Sequence, residues 1–385
     1  MHGYPKHRLQ IQLSIAITLI FTAPLVRGSD TPASRWPLWD GHESVEQYAQ
    51  RVNLPPTKTL DLGNGVKLET VLIPAGKFIM GTPDSEAPNE TVLVGLNILL
   101  LGGAAALGML MVLLMQAFAK SQRPKFSLRW LLLLTFAVSV GLYGGVRWHK
   151  TMQAWHEHWA VRARYSAAVS YENPAHEVTL TRPFYMGKFV VTREQYQQVI
   201  ETNPSYVKEA ERPVADLTWN DAQAFCKKLT EQTKQAARLP TEAEWEYSCR
   251  AGTRTAYYSG DTDKDLDRVA WYDANSNNRT HPVGQKDANV FGLYDMHGNV
   301  FQWCEDFYGE YLKEAVIDPR GPAEGAARVM RGGSWFIDTQ RVLRGGSWHN
   351  DPGHCRSANR DGNDPGDVSS DHGFRVVVAP PSTTP

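Results

Sequence analysis

The sequence predicts a mixed α/β domain of irregular build, interrupted by a helical hairpin that crosses a membrane. Three observations carry this reading. Thr91 to Ala119 is a run of 29 residues without Lys, Arg, Asp or Glu, and a spanning helix needs about 20. Strand-like alternation and Thr-headed capping signatures follow one another between residues 177 and 252, so strands and short helices are mixed. After residue 250, Gly and Pro concentrate with Asn and Asp, the composition of turns and not of long helices.

At the N-terminus, Lys6 and Arg8 precede an apolar run from Ile11 to Leu25 and then Val26-Arg-Gly28-Ser29. This pattern predicts a secretory signal over residues 1–28 with cleavage near Gly28, an uncleaved anchor being the rival. Residues 29–65 form a lead segment without an assignment. The hairpin covers residues 91–147. Its second span, Trp130 to Val146, has 17 residues and rises about 25 Å, with Arg129 and Arg147 placed to snorkel and Trp130, Tyr143 and Trp148 at the interfaces. Small residues four apart, Ala104 with Gly108 and Gly102 with Ala106, let the two helices approach closely. Lys120, Arg123, Lys125 and Arg129 put the connecting loop in the cytoplasm. Two spans return the chain to its starting side, so the main domain is expected to be extracytoplasmic, periplasmic or at the cell surface. Residues 148–165 are juxtamembrane and 380–385 a tail.

Within the domain, Val71 to Thr82 reads as an opening strand whose continuation resumes at His176. Strands are expected over Glu177 to Tyr185 and Gly187 to Val191. Thr192 with Gln195 opens a helix through about Glu201, Thr218 with Asp221 one over Ala222 to Thr230, and Thr241 with Glu244 one that Gly252 ends. The 40 basic and 41 acidic residues balance without a block of like charge, which argues against a nucleic-acid partner. Arg328-Val-Met-Arg-Gly-Gly-Ser-Trp335 repeats as Arg341-Val-Leu-Arg-Gly-Gly-Ser-Trp348. Each copy reads as a turn feeding a strand, the first being a duplicated loop or extra edge strand.

Four motifs follow in order: Arg238-Leu-Pro-Thr-Glu-Ala-Glu-Trp-Glu-Tyr247, Gly292-Leu-Tyr-Asp-Met-His-Gly-Asn299, Arg344-Gly-Gly-Ser-Trp348 and Gly373-Phe-Arg375. Together they resemble the formylglycine-generating enzyme (sulfatase-modifying factor) family, over residues 66–90 and 166–379. The resemblance implies an irregular fold related to C-type lectins and an oxidoreductase that converts a substrate cysteine to formylglycine in sulfatase-like proteins. Family catalysts hold copper(I), a soft ion that prefers sulfur, between two cysteines three and eight residues after the serine of Gly-Gly-Ser. Counted from Ser347 those positions are Asn350 and Cys355. One thiolate with an Asn makes a poor copper(I) site, so the pair is incomplete and Ser347 with Cys355 is what remains of the catalytic set. The resemblance also implies a calcium loop with Asp295, Gly298, Val300 and Gln302 as ligands, although the family usually carries Glu where Gln302 stands and Trp where Phe301 stands. Trp303, Trp348 and Arg360 are the expected substrate contacts.

Cys355 has two further readings. It pairs in a disulfide, the four cysteines allowing three pairings, with Cys249 the partner that the resemblance suggests and Cys304 its competitor, or it acts as a lone nucleophile beside His349 or His354. Two functions follow: a membrane-tethered oxidase of a protein or peptide substrate, or a non-catalytic domain on the same scaffold that holds a peptide or glycan in the loops around Trp303, Trp335 and Trp348.

Overall fold

A long hairpin starts the described part of the chain. Alternating burial along β1 (Thr57–Gly63) and β2 (Val66–Ile73) turns one face inward, and the Asn64-Gly65 turn between them holds both residues at positive φ, as a two-residue hairpin loop demands. The structure is a computed structural model that describes residues 36–82, 171–206, 209–322, 327–329, 335–337 and 340–380. The expected signal (1–28), membrane hairpin (91–147) and juxtamembrane segment (148–165) lie outside the described residues. Among the described residues, no helix is long and apolar enough to cross a membrane.

The opening strand expected over Val71 to Thr82 is broken at Pro74-Ala75 into the end of β2 and β3 (Gly76–Met80). β3 pairs antiparallel with β4 (His176–Leu180), Met80 opposite His176 and Gly76 opposite Leu180. The Thr82 amide donates to Glu172 O at 3.3 Å. The chain thus departs at Thr82 and re-enters at Tyr171 at one place on the fold. The strand expected over Glu177 to Tyr185 is likewise two strands, β4 and β5 (Phe184–Gly187), separated at Pro183, which has no N–H to give to a ladder. The strand expected over Gly187 to Val191 does not form beyond Gly187: the chain bends at Lys188-Phe189, and the Val191 amide reaches Phe374 O instead.

All three expected helices are present with reciprocal capping boxes: α2 (Arg193–Ile200) on Thr192, α3 (Trp219–Thr233) on Thr218 and α4 (Glu242–Arg250) on Thr241. Among the described residues, two further α-helices stand where none was expected, α1 (Val45–Arg51) in the lead segment on Ser44 and α5 (Asp263–Val269) on Thr262.

β1 and β2 belong to a five-stranded sheet, in which β2 pairs β5, and β16 (Val377–Val378) joins β5 to β6 (Ala237–Arg238). A four-stranded sheet carries the motifs. It is ordered β14 (Arg360–Asn363), β13 (Arg341–Arg344), β9 (Phe301–Phe307), β15 (His372–Phe374), with β15 parallel to β9. A short parallel pair, β7 (Ala270–Trp271) and β8 (His297–Gly298), forms a sheet of its own, and β10 (Val316–Ile317) extends β4. The first repeat copy contributes to a separate pair, β11 (Ala327–Val329) and β12 (Trp335–Ile337). In the second copy the strand, β13, precedes the Gly-Gly turn instead of following it.

Trp245, Trp303, Tyr247, Phe225 and Phe374 are fully buried, each contributing on the order of 1.5–3 kcal/mol. α3 packs on α2 through Phe225 stacked on Tyr196 at 5.6 Å, and Phe225 meets Phe374 of β15 edge-on at 5.2 Å.

Candidate functional site

A buried ionic seam fixes the strand that leads into the Gly-Gly-Ser turn. Every residue of α4 is buried, including Glu242 and Glu246, because basic side chains from the four-stranded sheet come to meet them. Arg344, at the end of β13, binds Glu246, approaches Glu242 at 3.4 Å, and donates to the carbonyls of Ala358 (2.9 Å) and Ser357 (3.0 Å). Arg360 grips Glu242 through two bonds of 2.8 and 2.7 Å. Arg250 binds Glu246 at 2.8 Å, and Arg356 reaches Glu172 at 2.7 and 2.5 Å. Burial alone would raise the Glu246 pKa. The guanidiniums of Arg344 and Arg250 outweigh it and hold the carboxyl below its ordinary value.

The turn that follows requires its glycines. Gly345 and Gly346 have φ of 95° and 68°, and a Cβ on Gly346 would fall 2.7 Å from Cys355 Sγ, inside contact distance. Ser347 is buried. Its hydroxyl bonds the Asn350 side chain and lies 3.1 Å from His349 Nδ1. Asp371 Oδ2 approaches the same nitrogen at 3.5 Å. A relay would need the serine and the carboxylate on opposite ring nitrogens, so Ser347, His349 and Asp371 do not form one.

Cys355 ends a short 3-10 helix, Pro352–Cys355, capped by Asp351. Its side chain is buried in a satellite cluster with Tyr257, Leu266, Val269, Ala270 and Tyr272. Burial pushes its thiol pKa far up, the opposite of what a nucleophile or a metal-binding thiolate needs. All four cysteines are free, which corrects the disulfide expectation. Cys249 belongs to the main core and Cys355 to the satellite cluster, and His297 stands between them. The Cys249 sulfur lies 3.7 Å from His297 Nε2 and 3.7 Å from Ser357 Oγ, and burial raises its pKa to about 12. The nucleophile reading of Cys355 also fails on its partners, since His349 addresses Ser347 and Asp371, and His354 Nδ1 is bound to Asp351 at 3.0 Å.

His297 was not singled out by its sequence. Its Nε2 accepts from the Tyr258 amide at 3.2 Å, which leaves the proton on Nδ1 to donate to Cys355 O at 2.7 Å. Complete burial lowers its pKa to about 3, so it is a neutral strut between the turn and the core.

Of the four expected calcium ligands, Asp295 and Gln302 have their side-chain oxygens already occupied by protein donors. Gln302 Oε1 accepts from Trp245 Nε1 at 2.9 Å and Arg375 Nε at 3.0 Å, while its Nε2 donates to Asp295 O at 2.8 Å. Asp295 Oδ2 takes the Gly284 amide at 2.8 Å and Oδ1 the Asn299 amide at 3.2 Å. Val300 is buried and Gly298 is held in β8. A divalent cation on the Gln302 oxygen would face the Arg375 guanidinium, so these residues do not fit calcium. Among the described residues, no group of three or more His, Cys, Asp or Glu side chains is placed to hold a metal. Copper(I) fits no better, because Asn350 is engaged by Ser347 and Cys355 is a single thiol turned into apolar surroundings.

The expected substrate contacts divide. Trp303 is a fully buried ring of β9, packed edge-on against His372 at 5.1 Å. Trp348 is half-buried at the turn. Arg360 is buried and lines a cleft with Tyr171, Tyr308 and Tyr311.

These features of sheet, turn and seam define a sulfatase-modifying-factor scaffold. The chain belongs to that family: the model of the sulfatase-modifying factor enzyme 1-like domain matches residues 157–380. Among curated relatives, it is 32% identical to the chaperone protein LppX of Paenibacillus barcinonensis, over 41% of this chain and 71% of that one. It is 35% identical to the formylglycine-generating enzyme of Streptomyces coelicolor, over 32% of this chain and 42% of the enzyme. It is also 34% identical to the serine/threonine-protein kinase pkn1 of Chlamydia caviae, over 43% of this chain and 30% of the kinase. The chain therefore spans less than half the length of these last two. Among solved structures, Treponema denticola variable protein 1 superposes with a TM-score of 0.56 at 23% identity, covering 85% of this chain and all of that one. PvdO from Pseudomonas aeruginosa gives 0.51 at 22%, covering 84% and 99%. These two likenesses concern the fold.

Proposed function

We propose that this chain is a membrane-tethered, extracytoplasmic member of the family that recognises a partner and does not oxidise cysteine to formylglycine. The observation that carries this reading is the state of the region after the Gly-Gly-Ser turn. It offers one thiol, Cys355, buried beneath Gly346 and raised in pKa, with Asn350 where a second sulfur would be needed. Family chemistry runs on a thiolate pair binding a soft metal, and one protonated thiol in an apolar cluster supplies neither the charge nor the ligand count. The tether rests on the uncharged runs at 91–119 and 130–146. It is consistent with the meeting of Thr82 and Glu172, because a hairpin needs its two ends on one side of the membrane.

The test is incubation of the purified chain with copper(I), oxygen and a Cys-x-Pro-x-Arg peptide, followed by mass spectrometry. The peptide is expected to keep its thiol. An aldehyde product that depends on Cys355 would overturn the proposal and restore the oxidase.

A further inference from the structure

Six large apolar side chains are exposed among the described residues, and three of them, Tyr171 (56% exposed), Leu312 (61%) and Ile317 (47%), belong to the corner where the chain leaves and re-enters the fold. Thr82 meets Glu172 there through one hydrogen bond, and Tyr171 is the neighbouring residue. Arg360 Nη1 ties the Tyr171 carbonyl (3.3 Å) to that of Gly309 (2.6 Å), three residues before Leu312. The Tyr311 ring packs edge-on against His176 of β4 at 5.0 Å. Along the same strand, β10 sets Ile317 opposite Thr179, roughly 10 Å from His176. β10 is the edge of its sheet, so no further described strand lies outside it.

What stands against this corner follows from the length of the connection. Only eight residues, 83–90, separate Thr82 from the uncharged run that begins at Thr91, and fully extended they reach about 28 Å. A domain of this size has a radius of gyration of about 18 Å and is roughly 45 Å across. With residues 91–119 in a bilayer, the leash is shorter than the domain is wide, so the Thr82 corner is held toward the lipid. The stretch from Glu310 to Arg320 carries Lys313 and Arg320 against Glu310, Glu314 and Asp318, and this mixture of signs favours no strongly charged partner. Aromatic and aliphatic side chains set among mixed charges suit the headgroup region, where a tyrosine keeps its hydroxyl toward water and leucine or isoleucine reaches the acyl boundary.

We propose that the corner bearing Tyr171, Leu312 and Ile317 rests on the membrane surface, a lipid contact additional to the two spans. The inference rests on the tether proposed above and gives the domain its orientation.

Site-directed fluorescence on the full chain in phosphatidylcholine vesicles tests it. Cys226, Cys249, Cys304 and Cys355 are all buried, so a cysteine introduced at the surface can be labelled alone. Leu312→Cys and Ile317→Cys are labelled with an environment-sensitive fluorophore. Val368→Cys serves as the control, a position 60% exposed in the stretch that leads to Asp371 and the Gly-Gly-Ser turn. The labels at 312 and 317 are expected to emit at shorter wavelength than the label at 368. Nitroxide-bearing lipid should quench them at least about twofold more strongly, because an interfacial side chain sits roughly 5–10 Å into the boundary between headgroups and acyl chains. Diluting the protein in lipid should leave that difference unchanged. If the chain floats with the vesicles and the labels at 312 and 317 are quenched no more than that at 368, the lipid contact is overturned and the tether stands. A difference that fades on dilution overturns it too, since a second copy of the chain then covers the corner. A chain that does not float with the vesicles has no tether, and this inference falls with it.

Discussion

Arg344 and Gly345 are consecutive residues, yet the regions they open are built on different terms. On the Arg344 side, α4 offers two buried carboxylates and the sheet answers with Arg344 and Arg360, assisted by Arg250 from the helix itself. On the Gly345 side, the serine hydroxyl is bound locally to Asn350 and the cysteine is turned into an apolar satellite cluster. The seam consists of groups that cannot be removed singly without stranding a charge. The turn consists of groups that are individually satisfied and chemically quiet. A scaffold of this kind separates what holds its shape from what would do chemistry, so the first persists when the second is incomplete.

The sharpest way to break this contrast is Arg344→Met. It leaves Glu246 with Arg250 as its only cation, beside the Gly81 amide at 2.9 Å, and is expected to cost about 3–5 kcal/mol in urea unfolding, the usual consequence of breaking a buried pair from one side. A loss under about 1 kcal/mol would show that the seam is not what holds the strand before the turn.

A smaller effect is expected from pH. The folded-state pKa of His297 is depressed to about 3 from 6.5. Between these values the unfolded chain binds a proton that the native state refuses. Stability is therefore lost as pH falls below about 6.5, by up to about 1.4 kcal/mol per pH unit, and the loss levels off below about 3. His297→Gln should remove this component of the slope between pH 6 and 4, measured as the difference between the two proteins' urea midpoints. Equal slopes would mean that the ring is protonated in the folded state.

The smallest expected effect is none. Under native conditions iodoacetamide should leave Cys226, Cys249, Cys304 and Cys355 unmodified, because all four are buried, and in denaturant it should label all four. Rapid native labelling of Cys355 would return the turn to the class of reactive sites.

The helices were legible because their signals are local. Thr192, Thr218 and Thr241 each bond the amide three residues on, and the residue at that position bonds back. The same signature heads α1 at Ser44 with Gln47 and α5 at Thr262 with Asp265, so those helices were readable by the rule that found the others. Strand limits were less legible, since Pro74 and Pro183 interrupt apolar runs that otherwise alternate. At the site, the absence of a second cysteine could be counted from Ser347. The direction in which Cys355 points could not, because it depends on α5 and Tyr272 packing over it. Gln302 carried the least signal of all. Its role follows from Trp245 and Arg375, which are remote in sequence and converge with the nearby Asp295 carbonyl on one amide.

The contact between Thr82 and Glu172 has a consequence for how such a domain changes over time. Because the chain on the two sides of residues 83–170 is joined on the domain itself, the domain's own contacts close at that point whatever sequence lies between. That junction is a port at which sequence can be gained, exchanged or shed while the rest of the architecture continues to fold as before.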